Sequence, residues 1–170
     1  MTDEIERLYK TTYQAVVRFL YRKVWDADRA EDLAQEVFIR AMTHRPDKPR
    51  AWVFAVAANL ARDEARAAIR RKKHLTLLSG DPVPFSTPDT TPEEAVEDDE
   101  RRAQVQVVLG MLSPRDREVL LLWDAGLSYP EIAGQTGLAV GAIGTTLARA
   151  RKRLLEAYDR MELRQRAAHS

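Results

Sequence analysis

Residues 128–154 read SYPEIAGQTGLAVGAIGTTLARARKRL, and this stretch decides the fold of the second half of the chain. A helix-turn-helix needs a small residue where its helices cross, a glycine in the turn and a branched apolar residue that anchors the second helix. Those places are filled by Ala133, Gly137 and Ile143, and the remaining apolar positions of the small core by Ile132, Leu138 and Leu147. The stretch therefore predicts two packed helices joined by a tight turn.

The second helix of this motif carries the candidate DNA-contacting residues, because its N-terminal part enters the major groove in such motifs. The positions expected to face the bases are Gly141, Ala142, Gly144, Thr145 and Thr146. The positions expected nearer the phosphates are Arg149, Arg151, Lys152 and Arg153. A helical hairpin whose glycines serve only as caps is the alternative that the pattern leaves open.

Capping signals extend the helical pattern on both sides of the motif. An amphipathic helix is predicted from Arg101 to Leu112. Ser113 is then expected to cap a helix that has proline at its first position and Asp116 at its third. Ser128 and Glu131 have capping-box spacing, and the last helix is predicted to run from about Val140 into the 160s.

An acidic segment precedes this helical region. Residues 75–100 hold 8 Asp and Glu and no Lys or Arg, whereas residues 1–74 have 16 basic against 11 acidic residues and residues 101–170 have 11 against 7. Its prolines are Pro82, Pro84, Pro88 and Pro92. Because proline interrupts helices and central strands, residues 75–93 are predicted to be a linker, with helix resuming near Pro92. Two basic blocks around an acidic one suggest nucleic-acid contact at both ends.

The first 74 residues are predicted to form a bundle of three or four helices. Apolar residues recur at three- and four-residue steps from Ile5 to Val24 and again from Ala30 to Ala41. Asp28 and Glu31 have the spacing of a capping box for the second helix. The third helix opens with AWVFAVAANLA, which is apolar nearly all round and so is expected at the centre of the bundle, with Trp52 and Phe54 in the core. The fold class predicted is all-α, with two small helical domains joined by a flexible acidic linker.

The third helix becomes cationic along its length. Arg62, Arg66 and Arg70 are spaced four residues apart and therefore share one face. Nucleic-acid contact is one interpretation of this face. The other is a solvated surface whose arginines pair with neighbours such as Asp63 and Glu64.

Several function classes are disfavoured by composition. The chain has no cysteine, and its three histidines fall in no metal-ligand spacing, so no metal or other cofactor is expected. No apolar run reaches the roughly 18 residues of a membrane span, and the acidic N-terminus is unlike a signal peptide, so a cytoplasmic protein without membrane insertion is expected. An enzyme on a helical bundle is disfavoured, because the adjacent acids Asp63 and Glu64, or Asp98 and Asp99, point to different helix faces.

Three stretches in order resemble the extracytoplasmic-function (ECF) sigma factors of the sigma-70 family. AEDLAQEVFIRAM, residues 30–42, resembles the part of region 2 that docks on the β′ clamp helices of core RNA polymerase. RAWVFAVAANLARDEARAAIRRKK, residues 50–73, resembles the part that melts and reads the −10 element. Residues 112–154 resemble region 4, which reads the −35 element and touches the polymerase β flap.

The resemblance implies a non-enzymatic sigma factor that binds core RNA polymerase and promoter DNA, with an anti-sigma factor as a further partner. The implied polymerase-binding residues are Asp32, Gln35, Glu36 and Phe38. Those implied for the −10 element are Asn59, Arg62, Arg66 and Arg70, with residues 43–50 cradling a flipped base. Those implied for the −35 element are Gly141, Ala142, Thr145, Thr146, Arg149 and Arg151.

The recognition helix departs from the family pattern. Ala139 stands where relatives have a capping serine, and Gly144 and Thr146 stand where cations are frequent. Loss of a cap costs about 0.5–2 kcal/mol and an internal glycine about 1 kcal/mol, so a weak or unusual −35 interaction is expected. A LuxR-type activator remains the alternative, although the N-terminal half resembles no receiver or ligand-binding domain.

Overall fold

The computed structural model describes residues 2–79 and 92–169, with side chains from residue 3 to 75 and from 99 to 169. These described ranges contain seven helices and no strand, which confirms the all-α prediction. The helices are α1 (Thr2–Val24), α2 (Ala27–His44), α3 (Pro49–Ser79), α4 (Pro92–Gly110), α5 (Pro114–Asp124), α6 (Tyr129–Thr136) and α7 (Val140–Ala168). None of them is long and apolar enough to cross a membrane over the residues described.

The chain divides into two compact units, Met1–Pro88 and Asp89–Ser170. Helix α3 continues to Ser79, beyond the predicted start of the linker at residue 75. Helix α4 begins at Pro92, where helix was expected to resume. The middle of the predicted linker, residues 80–91, lies outside the described residues.

In the first unit, α1, α2 and α3 pack around a shared apolar core. Its completely buried side chains include Val16, Leu20, Val37, Val53 and Phe54. The ring of Phe54 meets that of Phe19 edge-on at 5.6 Å between centroids, so the opening of α3 is central to the bundle, as its all-round apolar sequence predicts.

The start of α2 corrects one prediction. Asp26, rather than Asp28, is the N-cap residue, and its carboxylate accepts a hydrogen bond from the amide of Arg29 at 3.1 Å. The capping box predicted from Asp28 and Glu31 is therefore wrong. The helix begins two residues earlier than their spacing suggested, because Asp26 adopts the extended backbone that an N-cap requires.

In the second unit, the predicted caps are present. Ser113 caps α5 by accepting from the amide of Asp116, and Ser128 and Glu131 form a complete capping box at α6. Gly137 ends α6 in the left-handed conformation, with φ of 78°, which glycine adopts without steric penalty. Ile132 and Ile143 are completely buried on the two sides of this turn, as the helix-turn-helix pattern predicts.

Candidate nucleic-acid and protein interfaces

The recognition helix α7 has one buried and one outward face. Its buried positions at the motif are Ile143, Thr146, Leu147 and Ala150, which recur at three- and four-residue steps. The outward side is formed by the exposed residues Gly141, Thr145, Ala148 and Lys152, which follow the same periodicity on the opposite side. The surface available to DNA is therefore mostly small side chains, with one hydroxyl and one cation.

Burial of Thr146 corrects a predicted DNA contact. Its side chain is 6% exposed, because it occupies the same helix face as Ile143 and Ala150. It was expected to face the bases on account of its place in the N-terminal half of the helix, and that expectation is wrong. Ala142 is half-buried, whereas Gly141 and Thr145 are exposed, as a DNA-reading role requires.

Gly144 faces a neighbouring side chain in place of open space. A Cβ atom at this position would lie 3.5 Å from Cε2 of Tyr129, at the start of α6. Tyr129 is itself 41% exposed. The close backbone approach that Gly144 permits is therefore made to Tyr129, while Gly141 has no heavy atom within 4 Å of its Cβ position.

The arginines of α7 are held by α5. Arg149 donates to Oδ1 of Asp116 at 3.0 Å, and Arg153 donates to Oδ2 at 3.1 Å. The carboxylate is 1% exposed, whereas the two arginine side chains are 48% and 55% exposed. The guanidinium of Arg151 lies 3.8 Å from the centroid of the Trp123 ring, a cation–π contact.

Asp116 is ionised in this environment. Burial by itself would raise the pKa of Asp116, but the hydrogen bond and charge of Arg149, with the charge of Arg153 and the hydrogen bond of Ser113, outweigh it and hold the pKa below its ordinary value. The carboxylate thus joins the N-terminus of α5 to the middle of α7. Sequence periodicity gave no sign of this contact, because the partners lie more than 30 residues apart.

The cationic face of α3 differs from this arrangement. Asn59, Arg62, Arg66 and Arg70 are all exposed and recur at three- and four-residue steps on one side of the helix. The side-chain amide oxygen of Asn59 accepts a hydrogen bond from Arg62 at 3.4 Å. Within the described side chains, none of these arginines forms an ion pair.

Glu64 does not neutralise that face. It accepts two hydrogen bonds from Arg29 of α2, at 2.9 and 2.8 Å, and a further one from Arg71 at 3.3 Å. The hydrogen bond from Arg29 is the main cause that holds the pKa of Glu64 below its ordinary value. The solvated-face interpretation named Glu64 as a local partner of the arginine stripe, and the structure assigns it to a different side of α3.

The outward face of α2 combines charge with exposed apolar side chains. Asp32, Gln35 and Glu36 are exposed, and Glu36 pairs with Arg40 at 2.6 Å. Ile39 and Met42 are 62% and 58% exposed. A groove of about 580 Å³ runs beside them, lined by Ile5, Glu6, Tyr9, Gln35, Phe38, Ile39, Met42 and Arg45.

Phe38 forms the floor of this groove, which corrects its predicted place on an exposed docking surface. Its side chain is 4% exposed and contacts the rings of Tyr9 and Tyr13, with centroids at 5.2 and 5.9 Å. The exposed apolar residues beside it, Ile39 and Met42, were missed as candidate contacts. Their exposure follows from their positions between the buried residues of α2, a signal that helical periodicity contains.

The connection between α2 and α3 is shorter than predicted. Only residues 45–48 are outside the helices, because α2 runs to His44 and α3 begins at Pro49. The rings of His44 and Trp52 stack across it, with centroids at 5.2 Å and planes 14° apart. The cradle for a flipped base that was expected over residues 43–50 stays a prediction. Trp52 is half-buried, and Phe54 is in the core as expected.

Comparison with known families and proteins accounts for both units. Residues 8–72 match the family described as Sigma-70 region 2, and residues 102–154 match Sigma-70, region 4. The ECF RNA polymerase sigma factor SigC of Mycobacterium tuberculosis is 32% identical over 163 residues, covering 89% of this chain and 81% of the relative. SigE of Mycolicibacterium smegmatis is 31% identical over 157 residues, covering 89% of this chain but 59% of the relative.

Solved structures show the same fold. CnrH, in complex with the cytosolic domain of CnrY, has a TM-score of 0.67 at 24% identity, covering 94% of this chain and 90% of that one. RpoE from Bartonella quintana, in complex with the anti-sigma factor NepR, has a TM-score of 0.63 at 23% identity, covering 92% and 97%. With regions 2 and 4 both matched and helical throughout the described residues, the chain belongs to the ECF sigma factors of the sigma-70 family.

Proposed function

We propose that this chain binds core RNA polymerase and directs it to promoters, with the polymerase supplying the chemistry. The observation that carries the proposal is the separation of two surfaces in the first unit. The outward face of α2 is acidic and apolar, which suits a protein partner, whereas the face of α3 that holds Arg62, Arg66 and Arg70 is cationic and free of carboxylate partners, which suits phosphates.

The same separation argues against the LuxR-type alternative. An activator that only binds DNA needs the helix-turn-helix of the second unit and no polymerase dock of this kind. This chain adds a complete region 2 whose docking groove is partly covered by exposed Ile39 and Met42. The β′ clamp helices are the proposed occupant of the α2 face, and the β flap is the proposed protein contact of the second unit. Such a partner places the chain in the cytoplasm, without a catalytic role of its own.

Co-purification with core polymerase tests the dock. Asp32→Lys with Glu36→Lys reverses the exposed charges of α2 and should reduce the amount of chain retained on immobilised core polymerase at least tenfold. Changes of exposed residues usually alter stability within about 0.5 kcal/mol, so the fold should persist. The matched control is Asp3→Lys with Glu4→Lys on α1, which makes the same change of charge away from the groove and should leave retention unchanged.

The apolar part of the dock has its own variant. Ile39→Ser with Met42→Ser removes exposed apolar area without changing charge, and should also weaken retention, because apolar contacts contribute most of the free energy of association. Retention equal to wild type in both double variants, with helical circular dichroism intact, contradicts polymerase binding through α2.

We extend the proposal to an anti-sigma factor that covers the same face when polymerase is absent. The exposed apolar pair Ile39 and Met42, beside an open groove, supports a protein partner there. Purified core polymerase should displace such an inhibitor from the wild-type chain, and the Ile39→Ser, Met42→Ser variant should not bind it. Simultaneous binding of inhibitor and core polymerase would contradict a shared face.

A further inference from the structure

The four cations near the middle of α7 are in unequal circumstances. Arg149 and Arg153 are both bonded to the buried carboxylate of Asp116, and Arg151 is stacked on Trp123. Lys152 is exposed and, within the described side chains, forms no ion pair. It also lies on the same side of α7 as Thr145 and Gly141, three and four residues along the helix from Ala148.

A buried carboxylate holds its cationic partners firmly. An ion taken out of water is stabilised only by its partners, so Asp116, at 1% exposure, needs both arginines in place. An arginine that turned from Asp116 to a phosphate would leave the carboxylate with one fewer cation in a site that water does not reach. An exposed cation such as Lys152 meets no such penalty when it binds a phosphate.

We propose that Asp116 is a positioning residue of the DNA-reading helix: it fixes α7 against α5 and keeps Arg149 and Arg153 from the phosphates, so that Lys152 is the cation of the outward face that contacts DNA. The inference rests on the proposed function, in which α7 binds promoter DNA. It differs from the sequence-based expectation, which assigned Arg149 to phosphate contact.

The salt dependence of binding distinguishes phosphate-bound cations from those bound to Asp116. Each phosphate contact adds about 0.9 to the slope of log K against log salt on duplex DNA. Lys152→Gln should therefore lower the slope by about 0.9 and leave the thermal midpoint unchanged. Arg160→Gln removes the same charge from an exposed position two turns further along α7 and should lower the slope by less than half as much.

The network itself is tested by two further variants. Asp116→Asn releases both arginines, so the slope should rise by at least about 0.9 while the thermal midpoint falls; a residue that only stabilised the fold would not increase the slope. Asp116→Asn with Arg149→Gln and Arg153→Gln removes all three charges together. It leaves no buried ion without a partner, and should fold and bind with the wild-type slope.

The probe is a duplex selected by the full-length chain from a randomised DNA pool, titrated by fluorescence anisotropy from about 50 to about 200 mM salt. A triple variant whose slope is lower than wild type by about 1.8 would overturn the inference, because two phosphate contacts would then have been lost. An unchanged slope in folded Asp116→Asn or in Lys152→Gln would also overturn it. If the wild-type chain selects no duplex at all, the proposed function fails and the inference with it; binding with any of these contrary slopes contradicts the inference alone.

Discussion

The two DNA-facing helices, α3 and α7, carry arginines in opposite circumstances. On α3 the exposed arginines 62, 66 and 70 have no carboxylate partner among the described side chains, because Glu64 is turned toward Arg29 of α2. On α7, two arginines of similar spacing are bound to the buried Asp116. The comparison teaches that a stripe of cations in a sequence gives their positions, whereas the fold decides which of them are available to a ligand.

The largest difference is expected in stability. Arg149→Ala with Arg153→Ala leaves Asp116 buried without a cation and should lower the free energy of unfolding of the second unit by about 3–5 kcal/mol. Arg66→Ala with Arg70→Ala changes only exposed side chains and should alter the stability of the first unit by less than about 0.5 kcal/mol. Urea unfolding followed by hydrogen exchange of each unit measures both. Equal losses in the two double variants would remove the distinction between the helices.

The next effect concerns DNA binding by the first unit. Arg62→Gln, Arg66→Gln and Arg70→Gln together should lower the salt slope for DNA that carries a single-stranded −10 segment by about 2, since each contact to a single strand contributes about 0.7. The control is Arg7→Gln, Lys10→Gln and Arg18→Gln on α1, with the same change of net charge. A control as weak in binding as the test variant would indicate that only overall charge matters.

Acid should destabilise both units. The pKa values of Asp116 and Glu64 are held below their ordinary values, so each carboxylate contributes stability that is present above its unfolded-state pKa of about 4 and is lost as pH falls through its lower folded-state pKa. Glu64→Gln and Asp116→Asn should each flatten the fall in unfolding free energy below about pH 4 in their own unit. Urea unfolding between about pH 7 and pH 3 measures this. An acid limb that is unchanged by either substitution contradicts the ion-pair account of that unit.

The smallest effect concerns helix caps. Ala139 precedes α7 in extended conformation but makes no side-chain cap, whereas Ser128 caps α6. Ala139→Ser should raise the stability of the second unit by about 0.5–1 kcal/mol, and Ser128→Ala should lower it by about 1 kcal/mol. Thermal unfolding gives both values. A stabilising effect of Ser128→Ala would contradict the capping box.

Local signals in the sequence predicted much of the second unit. Ser113 and Ser128 were identified as caps by the residues that follow them, and Gly137 and Ile143 by their places in the helix-turn-helix. These features are decided within a few residues, so spacing is sufficient to find them. The start of α2 was misplaced because Asp26 and Asp28 are both good N-cap residues and only the backbone conformation chooses between them.

The site residues were less predictable, because their roles depend on contacts distant in sequence. Thr146 was placed on the DNA side by its position near the start of α7, although its three-residue step from Ile143 puts it on the buried face. The pairing of Asp116 with Arg149 and Arg153 joins two helices, and no local pattern indicates it. The exposed Ile39 and Met42 could have been found from the periodicity of α2 alone.

Run-off transcription tests the central claim most directly. Core RNA polymerase without any other sigma factor is given a pool of genomic promoter fragments, with and without the wild-type chain, and the RNA 5′ ends are sequenced. The account predicts new start sites that share upstream −10 and −35 elements, and predicts their loss with the Asp32→Lys, Glu36→Lys variant. No new starts from the core enzyme, together with duplex binding by the chain alone, would contradict a sigma factor's role and favour an activator that only binds DNA.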